Sequence, residues 1–165
     1  MKAKNYRRVK GIPYTRKKFI HGAPQPKISK FTMGDLSGNY DYNISLISLQ
    51  RAQIGHNALE AARVATNRHL EGKLGTSYSM RILLYPHVVL RENKMMTISH
   101  ADRFQDGMRK SFGKPTGTAA RVEPDQPVIM VNVDENGVDV AKEALKRGAA
   151  KLPTKCRILT EKTMD

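Results

Sequence analysis

The 165-residue sequence has no tryptophan and a single cysteine, Cys156. One thiol excludes an intramolecular disulfide and any cysteine-built metal cluster. Lying in a C-terminal apolar run, it reads as a small buried hydrophobe rather than a nucleophile. Aromatic residues make up only 6% of the chain and hydrophobic residues 39%, so the core is expected to be small. No apolar run approaches the roughly 20 residues that a bilayer-spanning helix needs. No signal peptide is visible behind the basic N-terminus, and that segment lacks the amphipathic period of a membrane-surface helix. The expectation is one cytoplasmic domain, 1–165, with no membrane contact. Acid is also locally missing, for residues 1–30 contain none.

Positive charge is abundant. Lys and Arg number 29 against 15 Asp and Glu, a formal net charge of +14. Such a charge suits a polyanionic partner and is a self-repulsion cost in isolation. Residues 1–30 carry Lys2, Lys4, Arg7, Arg8, Lys10, Arg16, Lys17, Lys18, Lys27 and Lys30. Gly11, Pro13, Gly22, Pro24 and Pro26 argue against a helix there. With little apolar surface to bury, the segment is expected to be disordered alone in water. On RNA it would be extended, with basic side chains on phosphates and Tyr6, Tyr14 or Phe19 free to stack on bases. From Val122 to Asp165 eight acids meet seven bases, so the excess lies in the first two-thirds.

Periodicity predicts an α+β fold, a mostly antiparallel sheet with two helices that do not alternate regularly with strands. A short strand followed by a turn is expected from Phe31 to about Gly38, and strands at Tyr42–Ala52, Tyr78–Tyr85, His87–Arg91, Met95–Ser99, Ala119–Val122, Val128–Val133 and Lys155–Thr160. One helix is expected to start at a capping box, Asn57 with Glu60, and to end at Gly72 or Gly75. Its apolar spacing runs through Ala58, Leu59, Ala62, Ala65, Thr66, His69 and Leu70, and its basic face through Arg63, Arg68 and Lys73. A second helix is expected from Val138 to Ala150, with Asp139 near its positive end and Lys146 and Arg147 near its negative end. Pro153 stops it.

Residues 100–121 have no sustained apolar period and read as a long mobile basic loop. Gly107, Gly113 and Gly117 free its backbone, and Pro115 constrains it. Arg103, Arg109, Lys110, Lys114 and Arg121 outnumber Asp102 and Asp106. Phe104 and Phe112 either pack the loop base or stack on a nucleotide. The run Gly107 to Pro115 invites comparison with a phosphate-binding P-loop, but five residues separate its glycines and Pro115 replaces the magnesium-binding Ser or Thr. Histidines 21, 56, 69, 87 and 100 lack metal-ligand spacing, and Ser111 has no base partner. No active site, metal or cofactor is expected.

The run A-D-R-F-Q-D-G-M-R-K-S-F-G-K-P-T-G-T-A-A-R-V closely resembles the signature of the "ten-e" family of large-subunit ribosomal proteins. That family is the archaeal and eukaryotic branch of the universal "sixteen" family. The opening N-Y-R-R-V-K-G-I-P-Y-T-R-K-K-F-I-H-G-A-P resembles the family's start, so the likeness covers essentially the whole chain. It implies an α/β-hammerhead arrangement and a non-enzymatic constituent of an archaeal large ribosomal subunit. It further implies binding to large-subunit rRNA near the central protuberance and 5S rRNA, contacts with neighbouring ribosomal proteins and no homo-oligomer. On this resemblance Lys2, Lys4, Arg7, Arg8, Lys10, Tyr14, Arg16, Lys17 and Lys18 bind rRNA. Arg103, Gln105, Gly107, Met108, Arg109, Lys110, Gly113, Lys114 and Pro115 lie on a loop that points toward tRNA and the peptidyl-transferase region. Lys110, like Ser111, falls where family members vary. A free-standing RNA-binding or RNA-chaperone module, or an assembly factor, would share the charge without needing the long signature.

Overall fold

A computed structural model of the chain describes residue 9, residues 11–13, 15–93 and 111–163. The elements run in order β1 (Thr32–Gly34), β2 (Tyr42–Ser48), β3 (Ala52–Gly55), α1 (His56–Leu74), β4 (Ser79–Ile82) and β5 (Val88–Glu92). After them come β6 (Lys114–Val122), β7 (Pro127–Val133), α2 (Val138–Ala149) and β8 (Cys156–Lys162). The fold is α+β with two helices, and its antiparallel strands divide into two sheets. The larger has the order β1-β4-β7-β2-β8 and the smaller β3-β6-β5. The strand expected at Met95–Ser99 lies outside the described residues.

The apolar run of β7 places it at the centre of the large sheet. Ile129, Val131 and Val133 are fully buried, whereas Met130 and Asn132 between them are only half-buried. Ile44 and Leu46 lie opposite Val131 and Ile129 on β2, and Met80 lies opposite Val131 on β4. Helix α2 packs on this sheet and against α1, burying Ala141, Ala144 and Leu145 against Leu59, Ala62 and Leu70. Each fully buried large aliphatic side chain contributes roughly 1.5–3 kcal/mol of burial. Gly148 is required where the helices meet. A Cβ there would collide with Thr66 Oγ1, while its next neighbours, Ala62 O at 3.5 Å and Thr66 Cβ at 3.7 Å, would tolerate one.

Three sequence expectations are corrected. The run Tyr42–Ala52 is not one strand. It ends at Ser48, whose Oγ donates to Gln50 O (2.9 Å), and the chain crosses to the other sheet as β3. Asn57 does not cap α1, because the helix already begins at His56, with Gly55 as an N-cap that makes no side-chain bond. Glu60 instead binds Arg63 (2.7 Å) and accepts from Ser29 N and Oγ. Residues 114–118 are not loop, since the strand expected at Ala119–Val122 starts already at Lys114 and pairs with β3 on one edge and β5 on the other.

Candidate nucleic-acid interface

Strand β5 is the seam on which the basic parts of the chain converge. Val88 and Val89 are buried and anchor it, while Glu92 at its far end is exposed. One edge pairs with β6, from Val88 opposite Ala119 to Glu92 opposite Lys114. A β-bulge between Leu90 and Arg91 falls beside Pro115, which lacks the N–H that regular pairing would use. The other edge of β5 is taken by the N-terminal segment. Arg16 bridges to Val88, Thr15 Oγ1 donates to Val89 O (2.6 Å), and Lys17 N donates to His87 O (2.9 Å). Val9 is buried, and Arg121 Nη1 donates to Gly11 O.

These contacts correct the expectation of a disordered N-terminal segment for the residues described here. The segment is extended, but backbone pairing at an open sheet edge offsets the ordering entropy that its own apolar content could not. A 3-10 turn at Lys17–Phe19 then turns Lys17 and Lys18 to solvent.

Several cations elsewhere on the surface are matched with acids. Arg51 pairs with Glu123 (2.5 Å), Arg157 with Asp125 (2.8 Å), and Arg147 and Lys73 with Glu143 (2.7 and 3.5 Å). Hydrogen bonding by Arg63 lowers the pKa of Glu60, and by Arg147 that of Glu143. Among the described residues Arg68, Arg81, Lys151 and Lys155 have no such partner, and neither do the cations that gather along β5. Among the described residues no acid lies within ion-pair distance of Arg16, Lys17, Lys18, Arg91, Lys114 or Arg121. Burial lowers the pKa of Arg121, with Glu123 opposing the shift. Unmatched cations held on a sheet edge attract phosphate at little ordering cost.

The base of the β5–β6 hairpin is tightly built. Arg91 lays its guanidinium 3.7 Å from the centroid of the Phe112 ring and donates through Nη1 to Phe112 O (2.8 Å). Gly113 adopts φ +80°, and a Cβ there would meet Asn93 N and Glu92 C at 2.8 Å. Only glycine fits that close approach in a left-handed conformation.

The structure therefore brings together Arg16, Lys17, Lys18, Gly113, Lys114 and Pro115 of the sequence-predicted residues, at the two ends and on both edges of one strand. Lys2, Lys4, Arg7, Arg8, Lys10 and Tyr14 lie outside the described residues, as do Arg103, Gln105, Gly107, Met108, Arg109 and Lys110. Sequence reasoning gave Arg91 no role. Its pairing with Phe112 spans 21 residues and depends on a strand register that no local pattern announces.

His56 serves the fold. It is buried, with Nδ1 3.0 Å from Thr118 Oγ1 and 3.4 Å from Lys27 N. Burial first, and Lys27 second, lower its pKa. Gly117 lies over Nε2, where a Cβ would be 3.2 Å away. His69 is also buried, with Nε2 3.2 Å from Glu143 Oε2. Cys156 is half-buried in β8, and burial raises its pKa, which suppresses thiolate chemistry. Among the described residues no group of three or more His, Cys, Asp or Glu is arranged to hold a metal ion, and no helix is long and apolar enough to cross a membrane.

Known proteins resemble this chain over most of its length. The family described as ribosomal protein L16p/L10e matches residues 7–159. A large ribosomal subunit protein uL16 from Hyperthermus butylicus is 57% identical over 90% of this chain and 83% of its own length. Its counterpart from Staphylothermus marinus is 54% identical over 95% of this chain and 91% of its own. That from Saccharolobus solfataricus is 54% identical over 93% and 88% respectively.

Proposed function

The chain belongs to the ribosomal protein L16p/L10e family, and on that premise we propose that the two edges of β5 present one basic face that grips large-subunit rRNA. Membership makes the protein a structural constituent of the large ribosomal subunit rather than an enzyme, and places it in the cytoplasmic ribosome. The observation that carries the finer reading is the set of cations with no acidic partner among the described residues, Arg16, Lys17, Lys18 and Lys114, of which Arg16, Lys17 and Lys114 are fixed by backbone pairing along or beside β5.

In this reading the whole chain acts as one ribosomal-protein domain. Residues 1–30 are its rRNA-binding segment, with Lys2, Lys4, Arg7, Arg8, Lys10 and Tyr14 extending the contacts of Arg16, Lys17 and Lys18. Of the loop expected over residues 100–121, the part that precedes β6 contacts tRNA near the peptidyl-transferase region. Arg103, Gln105, Gly107, Met108, Arg109 and Lys110 supply that contact, and Gly113, Lys114 and Pro115 fix its base. A position near the central protuberance and 5S rRNA follows from the same family resemblance. The protein clamps and positions, and RNA carries the chemistry. Phosphate contacts by Arg and Lys provide salt-sensitive affinity, while the rigid sheet supplies orientation.

Sedimentation of native lysate tests this. The protein is expected to travel stoichiometrically in the large-subunit peak and to leave it when ribonuclease degrades the RNA. A slow-sedimenting, substoichiometric pool would overturn the proposal in favour of a transient factor.

A further inference from the structure

Phe112 keeps 59% of its surface exposed in a chain with only four phenylalanines and no tryptophan. Exposed phenylalanine side chains are usually loosely placed, but this one is fixed from two directions. Its backbone is held by Gly113, whose close approach to Glu92 and Asn93 admits no side chain. Its ring is covered on one face by the Arg91 guanidinium, itself tied to the Phe112 carbonyl. The arrangement is tighter than the comparable pair at the other end of β5, where the Arg16 guanidinium lies 4.9 Å from the Phe19 centroid.

A flat cation on one face leaves a flat aromatic surface on the other. Its described sequence neighbours are Ser111, Gly113 and Lys114, none of them apolar, and the ring remains largely exposed. An apolar protein pocket would match a patch. A single planar π system flanked by phosphate matches a lone ring beside a lysine, because every base has a stackable face and stacking needs no sequence code. Glu92 is the nearest acid in the strand register, and it lies opposite Lys114.

We infer that the open face of the Phe112 ring is a stacking platform for one unpaired base of the large-subunit rRNA, with Arg91 closing the opposite face and Lys114 beside it for a neighbouring phosphate. The inference rests on the rRNA-binding reading above and names a contact within it. Arg91 acts as a positioning residue: it fixes the plane on which the base lies and adds its charge behind the ring.

The absence of tryptophan supplies the test. In F112W the new indole is the only one in the protein, and its emission reports on that single position. Large subunits stripped of their own copy of this protein are titrated with F112W, F112L and the unmodified chain. Stacking predicts that F112W emission is strongly quenched on binding, without a blue shift, and that F112L, which keeps apolar volume but no ring, binds about tenfold more weakly. Unchanged F112W emission on a bound protein, together with full affinity of F112L, would overturn the platform while leaving rRNA binding intact. A blue shift without quenching would overturn it in favour of an apolar protein pocket. Failure of the unmodified chain to bind would refute the rRNA-binding reading itself.

Discussion

Replacing Gly148 by alanine probes the helix contact that holds the scaffold together. The residue lies inside α2 in helical conformation, so alanine alone should gain about 1 kcal/mol of helix propensity. Against this, the added Cβ collides with Thr66 Oγ1, a fully buried atom with no hydrogen-bond partner. Overpacking of this kind costs about 1–3 kcal/mol, so G148A is expected to lose up to about 2 kcal/mol net. T66A removes the obstructing hydroxyl. Its lost methyl costs about 0.8 kcal/mol, offset by relief of an unpaired buried hydroxyl worth about 1–3 kcal/mol, and the single variant should be close to neutral. In the double variant the new methyl meets only Ala62 O and the Thr66 Cβ position, at 3.5 and 3.7 Å. Stability should then return to or exceed that of the parent, a coupling of about 2 kcal/mol. Thermal melts followed by circular dichroism read this out, since 1 kcal/mol corresponds to about 2–4 °C in Tm for a chain of this size. Additivity of the two single variants within about 0.5 kcal/mol would refute the packing argument.

His56 and Gly34 give two further tests. Burial and Lys27 hold the folded pKa of His56 below its ordinary 6.5, so the unfolded chain takes up the proton first. Stability should therefore fall as pH drops below 6.5 and level off below the folded pKa, and urea melts across that range should show the slope in the parent but not in H56Q. An equal slope in both would contradict the assignment. G34A forces a Cβ onto Tyr78 O at φ +79°, so the β1–β4 edge should give way. The expected loss is about 3 kcal/mol, and a Tm within a degree or two of the parent would contradict it.

How much the sequence disclosed depends on whether a feature is local. The apolar run Val128–Val133 announced a central strand, and the spacing of Ala141, Ala144 and Leu145 announced the buried face of α2, because burial and period act over a few residues. Features set by distant pairing stayed hidden. Lys114–Thr118 carries glycine, proline and charge, yet it extends the strand expected at Ala119–Val122 because β5 pairs with it. The capping signature at Asn57 was real as a pattern but was overruled one residue earlier, where β3 runs directly into α1. The charge of residues 1–30 pointed to RNA, but composition alone could not reveal that Thr15 and Lys17 find backbone partners on β5. Likewise Phe112 was legible as a stacking candidate, and Arg91 behind it was not.

The basic face is the central claim, and the salt dependence of its binding tests it most directly. The eight basic residues of 1–18, Lys2, Lys4, Arg7, Arg8, Lys10, Arg16, Lys17 and Lys18, are changed to glutamine, so that Thr15 and the backbone pairing to β5 remain. Affinity for stripped large subunits is then measured across a salt series. Each phosphate contact contributes about 0.7–0.9 to the slope of log affinity against log salt. The account predicts a slope flattened by several units, up to about 7 if all eight residues engage phosphate. An unchanged slope with unchanged affinity would contradict it.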